Sequence, residues 1–168
     1  MEAYVPVFTV LATGIVGIGA VWLNNRRQDT RDQLAIRTAA RQREADRLRA
    51  MFVVIMESVI TARRAVVVGA DAETLLNIVG MTCDEYRPRL AIERDGAELV
   101  RLLEKCYELS LTYGASTKLH AELLATDPNQ AGVIADEWNA EGQRLVDALN
   151  DLASVLVERM AELDAPVQ

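Results

Sequence analysis

The chain has 168 residues, of which 51% are hydrophobic and 26% are charged, and its formal net charge is −7. Aromatic residues account for 5% of it, and there are two cysteines and one histidine. This composition excludes a disulfide scaffold, a cysteine/histidine zinc site, a collagen-like or low-complexity chain, and a β protein with many turns.

The N-terminal part carries an uncharged apolar run from Ala3 to Leu23. A helix of that length rises about 30 Å, which is enough to cross the hydrocarbon core of a bilayer. Tyr4 and Trp22 lie near the two ends of the run, where amphipathic rings favour the membrane–water interfaces. The pattern therefore predicts a transmembrane anchor over residues 1–23.

A cleaved signal peptide is the alternative interpretation of this segment. Gly17 and Gly19 resemble a small-x-small cleavage site. However, only Glu2 precedes the apolar run, whereas signal peptides carry positive charge there, and the run is longer than a typical signal core. Cleavage would make the chain a secreted or periplasmic helical protein.

The residues that follow the apolar run are basic. Residues 24–49 contain eight arginines against four acidic residues, a net charge of +4. Since positively charged flanks stay in the cytoplasm, we expect a single-pass protein of the cell membrane with its N-terminus outside and its C-terminal domain cytoplasmic. Arg26, Arg27 and Arg31 come first after the run and are expected to contact anionic lipid headgroups.

The first helix is expected to continue beyond the membrane, because no glycine or proline occurs between Ala20 and Val68. Residues 24–44 are predicted to form a basic juxtamembrane stalk, and residues 45–168 a cytoplasmic helical bundle. Early in the bundle, apolar residues recur at alternating spacings of three and four, which is typical of a helix-packing seam. The candidate seam residues are Leu48, Phe52, Ile55, Val59 and Val66.

The second half of this helix also contains a short run, residues 51–56, that is apolar on every side. More than one partner helix is therefore expected to cover it. Gly69 suits the C-terminal cap of this helix, and Asp71 suits the N-cap of the next one.

The second and third helices are predicted from a proline and a capping pattern. The second is expected to stop near Arg87, because Pro88 disfavours helical geometry in the residue before it. Residues 88–95 then form a connection. Asp95 followed by Glu98 resembles a capping box, which predicts the start of the third helix.

The start of the fourth helix is the strongest local boundary in the chain. Asp127 suits the N-cap, and Pro128 suits the first helical position. Helical spacing of apolar residues then extends over about 36 residues to just before Pro166. No segment has the alternation and turns of a β-hairpin. The predicted fold is all-α: a transmembrane helix that continues into a long stalk helix, then an antiparallel three- or four-helix bundle with coiled-coil-like packing.

The residues that usually carry chemistry are few. The single histidine, His120, lies near a seam position of the third helix, either as a titratable switch at a helix contact or as a histidine at the edge of the core. Thr117 stands where a di-iron Glu-x-x-His motif needs a glutamate. Cys83 and Cys106 lie on apolar faces and are expected to be small buried hydrophobes in a reducing compartment. We therefore expect no enzyme activity, no cofactor, no metal and no small-molecule ligand.

A nucleic-acid partner is not expected either. Residues 50–168 contain 10 basic and 20 acidic residues, a net charge of −10, which repels a polyanion. The expected partners are membrane lipid and either another protein or a second copy of the chain.

The apolar run, the following Asn-Arg-Arg at residues 25–27 and the arginine-rich helix at residues 41–47 resemble uncharacterised bacterial single-span membrane proteins. The resemblance covers about residues 10–65 and implies a cytoplasmic helical region, with no activity and no functional residues. The layout is also similar to the peripheral-stalk subunit of ATP synthase, whose stalk is a long dimeric coil. Here, Gly69, Pro88 and Pro128 divide the chain instead.

These features predict a membrane-anchored, non-enzymatic helical protein that presents a cytoplasmic bundle for protein–protein interaction or scaffolding. One alternative is a self-associating structural stalk, in which the seam joins two copies as a coiled-coil dimer. The other is the secreted or periplasmic helical protein that cleavage of the N-terminal segment would produce.

Overall fold

The computed structural model describes the backbone of residues 5–69, 71–93 and 96–165, and the side chains of these residues from 24 onward except residue 72. Within these residues there are four α-helices and no β-strand, so the predicted all-α fold is confirmed. The helices are α1 (Val5–Val67), α2 (Ala72–Ala91), α3 (Ala97–Thr126) and α4 (Pro128–Asp164). No helix among the described residues is both long enough and apolar enough to cross a membrane. Tyr4 lies outside the described residues, as does the side chain of Trp22.

The chain divides into two units, Met1–Asp46 and Arg47–Gln168. In the first unit, the side chains of residues 24–44 are all exposed, including those of Arg26, Arg27 and Arg31. The second unit begins two residues after the predicted start of the bundle. It contains the rest of α1 together with α2, α3 and α4.

The second unit has a hydrophobic core to which all four helices contribute. The seam residues of α1 face it: Phe52, Ile55, Val59 and Val66 are buried, and Leu48 packs against the buried cluster. α3 packs against both α2 and α4. Burial of one large apolar side chain stabilises the fold by roughly 1.5–3 kcal/mol. The largest fully buried apolar side chains are Ile55, Leu75, Leu90, Leu99, Leu103, Leu145, Leu149, Leu152 and Leu156.

The turn between α1 and α2 has both predicted caps. Gly69 has a φ of 65°, a left-handed conformation that disfavours a side chain, and its N–H donates to the carbonyl oxygen of Val66 at 3.1 Å. Asp71 accepts a hydrogen bond from the backbone N–H of Thr74 at 2.8 Å and another from the Thr74 hydroxyl at 2.7 Å. These hydrogen bonds to the charged form lower the pKa of Asp71 below its ordinary value.

α2 does not stop before Pro88, as the sequence predicted, but continues to Ala91 with the proline inside it. A proline costs roughly 3 kcal/mol in a helix interior. The cost is smaller in a last turn, where few backbone hydrogen bonds follow. Leu90 is 1% exposed, and its burial contributes roughly 1.5–3 kcal/mol, which offsets most of this cost. Arg89 also pairs with Glu85 across the proline at 3.4 Å.

The start of α3 also differs from the prediction. Asp95, the predicted N-cap, lies outside the described residues, and the N-cap position is occupied by Gly96 with no side-chain cap. The physical reason is a close approach, because a Cβ at Gly96 would collide with the carbonyl group of Leu90. The N-cap position of α3 lies so close to the end of α2 that only a residue without a side chain fits there.

The boundary between α3 and α4 is confirmed as predicted. Asp127 separates the two helices, and its carboxylate accepts from the backbone N–H groups of Asn129 at 3.2 Å and Gln130 at 3.3 Å. Pro128 occupies the first helical position, where its missing N–H costs little. α4 then runs for 37 residues.

Candidate docking surface

The apolar run at residues 51–56 of α1 is only partly covered. Phe52 and Ile55 are buried, whereas Val53 and Val54 are 43% and 41% exposed. The run therefore packs into a core to which α2, α3 and α4 all contribute, but that packing leaves Val53 and Val54 uncovered. The other three helices contribute their buried residues to the core that the seam faces, and the sides of α1 turned away from the seam meet solvent.

Exposed apolar side chains continue along this outer side of α1. Val53, Ile60 and Val67 recur every seven residues, which places them on one side of the helix. Ile60 is 43% exposed and Val67 is 74% exposed. Val68, in the turn that follows, is 76% exposed. Adjacent exposed apolar side chains of this size are typical of an interaction surface.

A hollow of about 370 Å³ lies at the C-terminal end of α1. It is lined by Ile60, Val67 and Val68 and by the side chains of Arg63 and Arg64. Both arginines are exposed, and neither forms an ion pair or a hydrogen bond with a described residue. The hollow therefore combines an apolar wall with two positive charges that no described carboxylate neutralises.

A second hollow, of about 390 Å³, adjoins the first and shares Val67 and Val68 with it. Trp138 of α4 lines it together with Asn139 and Gln143. We use the term turn surface for the set Ile60, Arg63, Arg64, Val67, Val68 and Trp138. It joins the end of α1 to the first third of α4, where Trp138 lies.

Trp138 is held in place by contacts with α3. Its ring stacks on His120, with the centroids 4.6 Å apart, and on Tyr113 at 6.2 Å. The indole Nε1 donates a hydrogen bond to Thr117 Oγ1 at 3.0 Å, and that hydroxyl donates to the carbonyl oxygen of Tyr113 at 2.8 Å. His120 is half-buried at the edge of the core. These contacts fix the orientation of the indole that lines the second hollow.

A third hollow, of about 510 Å³, lies between α1 and α2. Its cations have partners: Arg47 pairs with Glu93 at 2.6 Å, and Arg89 pairs with Glu85 at 3.4 Å. The Arg89 guanidinium also lies over the Tyr86 ring, 5.4 Å from its centroid. This hollow is thus close to electrically neutral, in contrast to the turn surface.

The two cysteines are free and buried, as the sequence predicted. Burial raises the pKa of the Cys106 thiol to about 12, and it also raises the pKa of Cys83. Among the described residues, no group of three or more histidine, cysteine, aspartate and glutamate side chains is arranged to hold a metal ion.

Comparison with known proteins finds no match: no family model, no curated protein and no solved structure matches the chain. Functional assignment therefore rests on the chemistry of its surfaces. Sequence reasoning did not predict the turn surface, although the spacing of Val53, Ile60 and Val67 is a signal for it. The residues it did single out, Phe52 and Ile55 among them, face the core instead.

Proposed function

We propose that this chain is a membrane-anchored, non-enzymatic helical protein whose antiparallel bundle binds a partner protein. The observation that carries the proposal is the turn surface, where Ile60, Val67 and Val68 remain exposed beside a well-buried core. Exposed apolar patches next to a closed core are more typical of binding than of catalysis. The single histidine is engaged in the stack with Trp138.

The membrane anchor is supported by the sequence. Residues 3–23 contain no charge, and the arginines that follow suit a cytoplasmic flank. Arg26, Arg27 and Arg31 are exposed and stand where headgroups of an anionic leaflet would attract them. In this proposal the N-terminus is outside the cell membrane, and the stalk and bundle are cytoplasmic.

Binding of a different protein is favoured over a zipper of two copies through the seam. Phe52, Ile55 and Val59 are 6%, 0% and 5% exposed within the chain's own core. A coiled-coil dimer that used them would first have to open that core, and each large side chain contributes roughly 1.5–3 kcal/mol there. A partner can bind the outer side of α1 without opening the core, because the side chains there are already exposed.

Anchoring and orientation are tested with an engineered thiol, because the native thiols are buried and react poorly from either side. Ser154 is exposed on α4, so we propose Ser154→Cys in the full-length chain. A membrane-impermeant maleimide is expected to label this variant only after the cells are permeabilised. Labelling of intact cells would reverse the orientation, and recovery of a shortened N-terminus by protein sequencing would show cleavage instead of anchoring.

Partner binding is tested with a photo-crosslinking amino acid placed at Val67 of the full-length chain in native membranes. The matched control is Val157, which is 55% exposed on α4 away from the turn surface. A discrete adduct with another protein is expected at residue 67 and not at residue 157. Equal adducts at both positions, or none at residue 67, would contradict the proposal.

A further inference from the structure

We infer that the turn surface binds an amphipathic helix that carries carboxylates beside its apolar side chains. This inference rests on the proposed function and specifies the chemistry of the partner. Three properties of the surface lead to it: its apolar wall, its dimensions and its charge.

The apolar wall needs an apolar counterpart. Val67 and Val68 are about three-quarters exposed, at 74% and 76%, and Ile60 is 43% exposed. Removing these side chains from water favours association in proportion to the apolar area covered. Trp138, which lines the second hollow, is half-buried. Tryptophan is among the residues that contribute most to binding energy at protein interfaces.

The dimensions of the surface suit a helix. Residues 60–67 of α1 cover two helical turns, or about 11 Å, and the two hollows share Val67 and Val68 in their linings. A bound helix presents apolar side chains at positions i, i+3 or i+4, and i+7, which repeat over the same length. Two such side chains would enter the two hollows.

The charge of the surface specifies the flanks of that helix. Arg63 and Arg64 lie beside the apolar wall and have no anionic partner among the described residues. Guanidinium groups form paired hydrogen bonds with carboxylates. Because residues 50–168 carry a net charge of −10, an acidic helix is repelled by most of the bundle and attracted at this position. The charge therefore contributes to where the partner binds as well as to how tightly.

The same charge disfavours a second copy as the occupant. An interface with two-fold symmetry contains the same patch from both copies. Four guanidinium groups, Arg63 and Arg64 from each copy, would then meet in one interface. A distinct acidic partner brings the opposite charge instead.

The test uses the full-length chain in lipid nanodiscs and a synthetic helical probe peptide. The probe has leucines at helical spacing on one face and glutamates on both flanks, and its matched control has lysine in place of every glutamate. With Trp22→Phe, Trp138 is the sole tryptophan, so its emission reports occupation of the second hollow. We expect saturable binding of the acidic probe with a shift of that emission, and binding of the lysine peptide weaker by at least about tenfold.

Variants of the chain locate the binding. Arg63→Glu combined with Arg64→Glu, and Val67→Asp separately, are each expected to weaken binding of the acidic probe by about tenfold or more. Val157→Asp on α4 is the control and is expected to leave it unchanged. These positions are exposed, so circular dichroism is expected to show full helicity in every variant.

Equal binding of both peptides, or no binding of the acidic probe, would overturn the inference. So would a dimer by light scattering that Val67→Asp converts to a monomer, because the occupant would then be a second copy. Failure of the peptide test with normal crosslinking at residue 67 would leave the proposed function standing and remove only the acidic helix. Failure of the crosslinking test would remove the function itself.

Discussion

A Cβ atom added to Gly142 of α4 would lie 3.0 Å from Cε2 of Tyr113 on α3. Tyr113 is 3% exposed, and its ring is stacked on Trp138, so it has little room to move aside. The close approach of α3 and α4 at this level therefore depends on the missing side chain at residue 142. This approach also positions Trp138, the residue that α4 contributes to the turn surface.

Gly142→Ala is expected to destabilise the fold, whereas Gly132→Ala is expected to stabilise it. Both glycines lie in α4, where alanine is intrinsically better by about 0.5–1 kcal/mol. A Cβ at Gly132 meets nothing within 4 Å, so that gain is realised there. At Gly142 the clash with the Tyr113 ring is expected to exceed it. The measurement is the free energy of unfolding of the full-length chain in detergent, from urea titrations followed by circular dichroism. Stabilisation by both substitutions would show that the Tyr113 ring moves aside to accommodate the alanine Cβ at residue 142.

The hydrogen bond from Trp138 to Thr117 is expected to couple α3 to α4. Trp138→Phe keeps much of the ring but removes the donor, and Thr117→Val removes the acceptor at similar volume. Each change is expected to cost about 0.5–1.5 kcal/mol, and the double variant less than the sum of the two. The control pair is Trp138→Phe with Ser154→Ala, since among the described residues the Ser154 hydroxyl bonds only to the carbonyl oxygen of Asn150 in its own helix. Additive costs in the first pair would contradict the coupling.

Features that depend on one turn of chain were predictable from the sequence. Asp71 and Asp127 cap α2 and α4 because a carboxylate reaches N–H groups two or three residues ahead, whatever the rest of the fold does. Gly69 ends α1 for a similarly local reason. The core-facing seam of α1 also followed from spacing alone.

Features that depend on distant residues were not predictable. Pro88 remains inside α2 because Leu90 is buried in the core, and no local pattern shows that burial. The sequence placed His120 near a seam position of the third helix but did not identify Trp138 as its stacking partner, since Trp138 belongs to another helix. The turn surface was missed for the same reason. Which sides of α1 stay exposed is decided by where the other three helices pack.

The N-cap at Asp127 is expected to contribute measurably to stability. Asp127→Ala leaves the N–H groups of Asn129 and Gln130 without their acceptor and is expected to cost about 0.5–2 kcal/mol. Asp127→Asn retains an acceptor and is expected to cost much less. Asp136→Ala, at an exposed position within α4, is the matched control for loss of an aspartate. Equal urea midpoints for the alanine variants at residues 127 and 136 would show that the cap contributes nothing specific.

The buried thiols are expected to be inert in the folded chain and to make stability fall at high pH. The Cys106 pKa is raised to about 12, whereas an exposed thiol titrates near about 8.5, so at neutral pH neither the folded nor the unfolded chain carries much thiolate. Between about 8.5 and about 12 the unfolded chain releases a proton that the folded chain keeps, so stability falls as pH rises. Cys106→Ala is expected to make this fall shallower by up to about 1.4 kcal/mol per pH unit.

A thiol-specific reagent at neutral pH is expected to leave Cys83 and Cys106 unmodified until guanidinium chloride unfolds the chain. Rapid reaction of Cys106 under native conditions, or an unchanged pH slope after its removal, would show that the core opens around it.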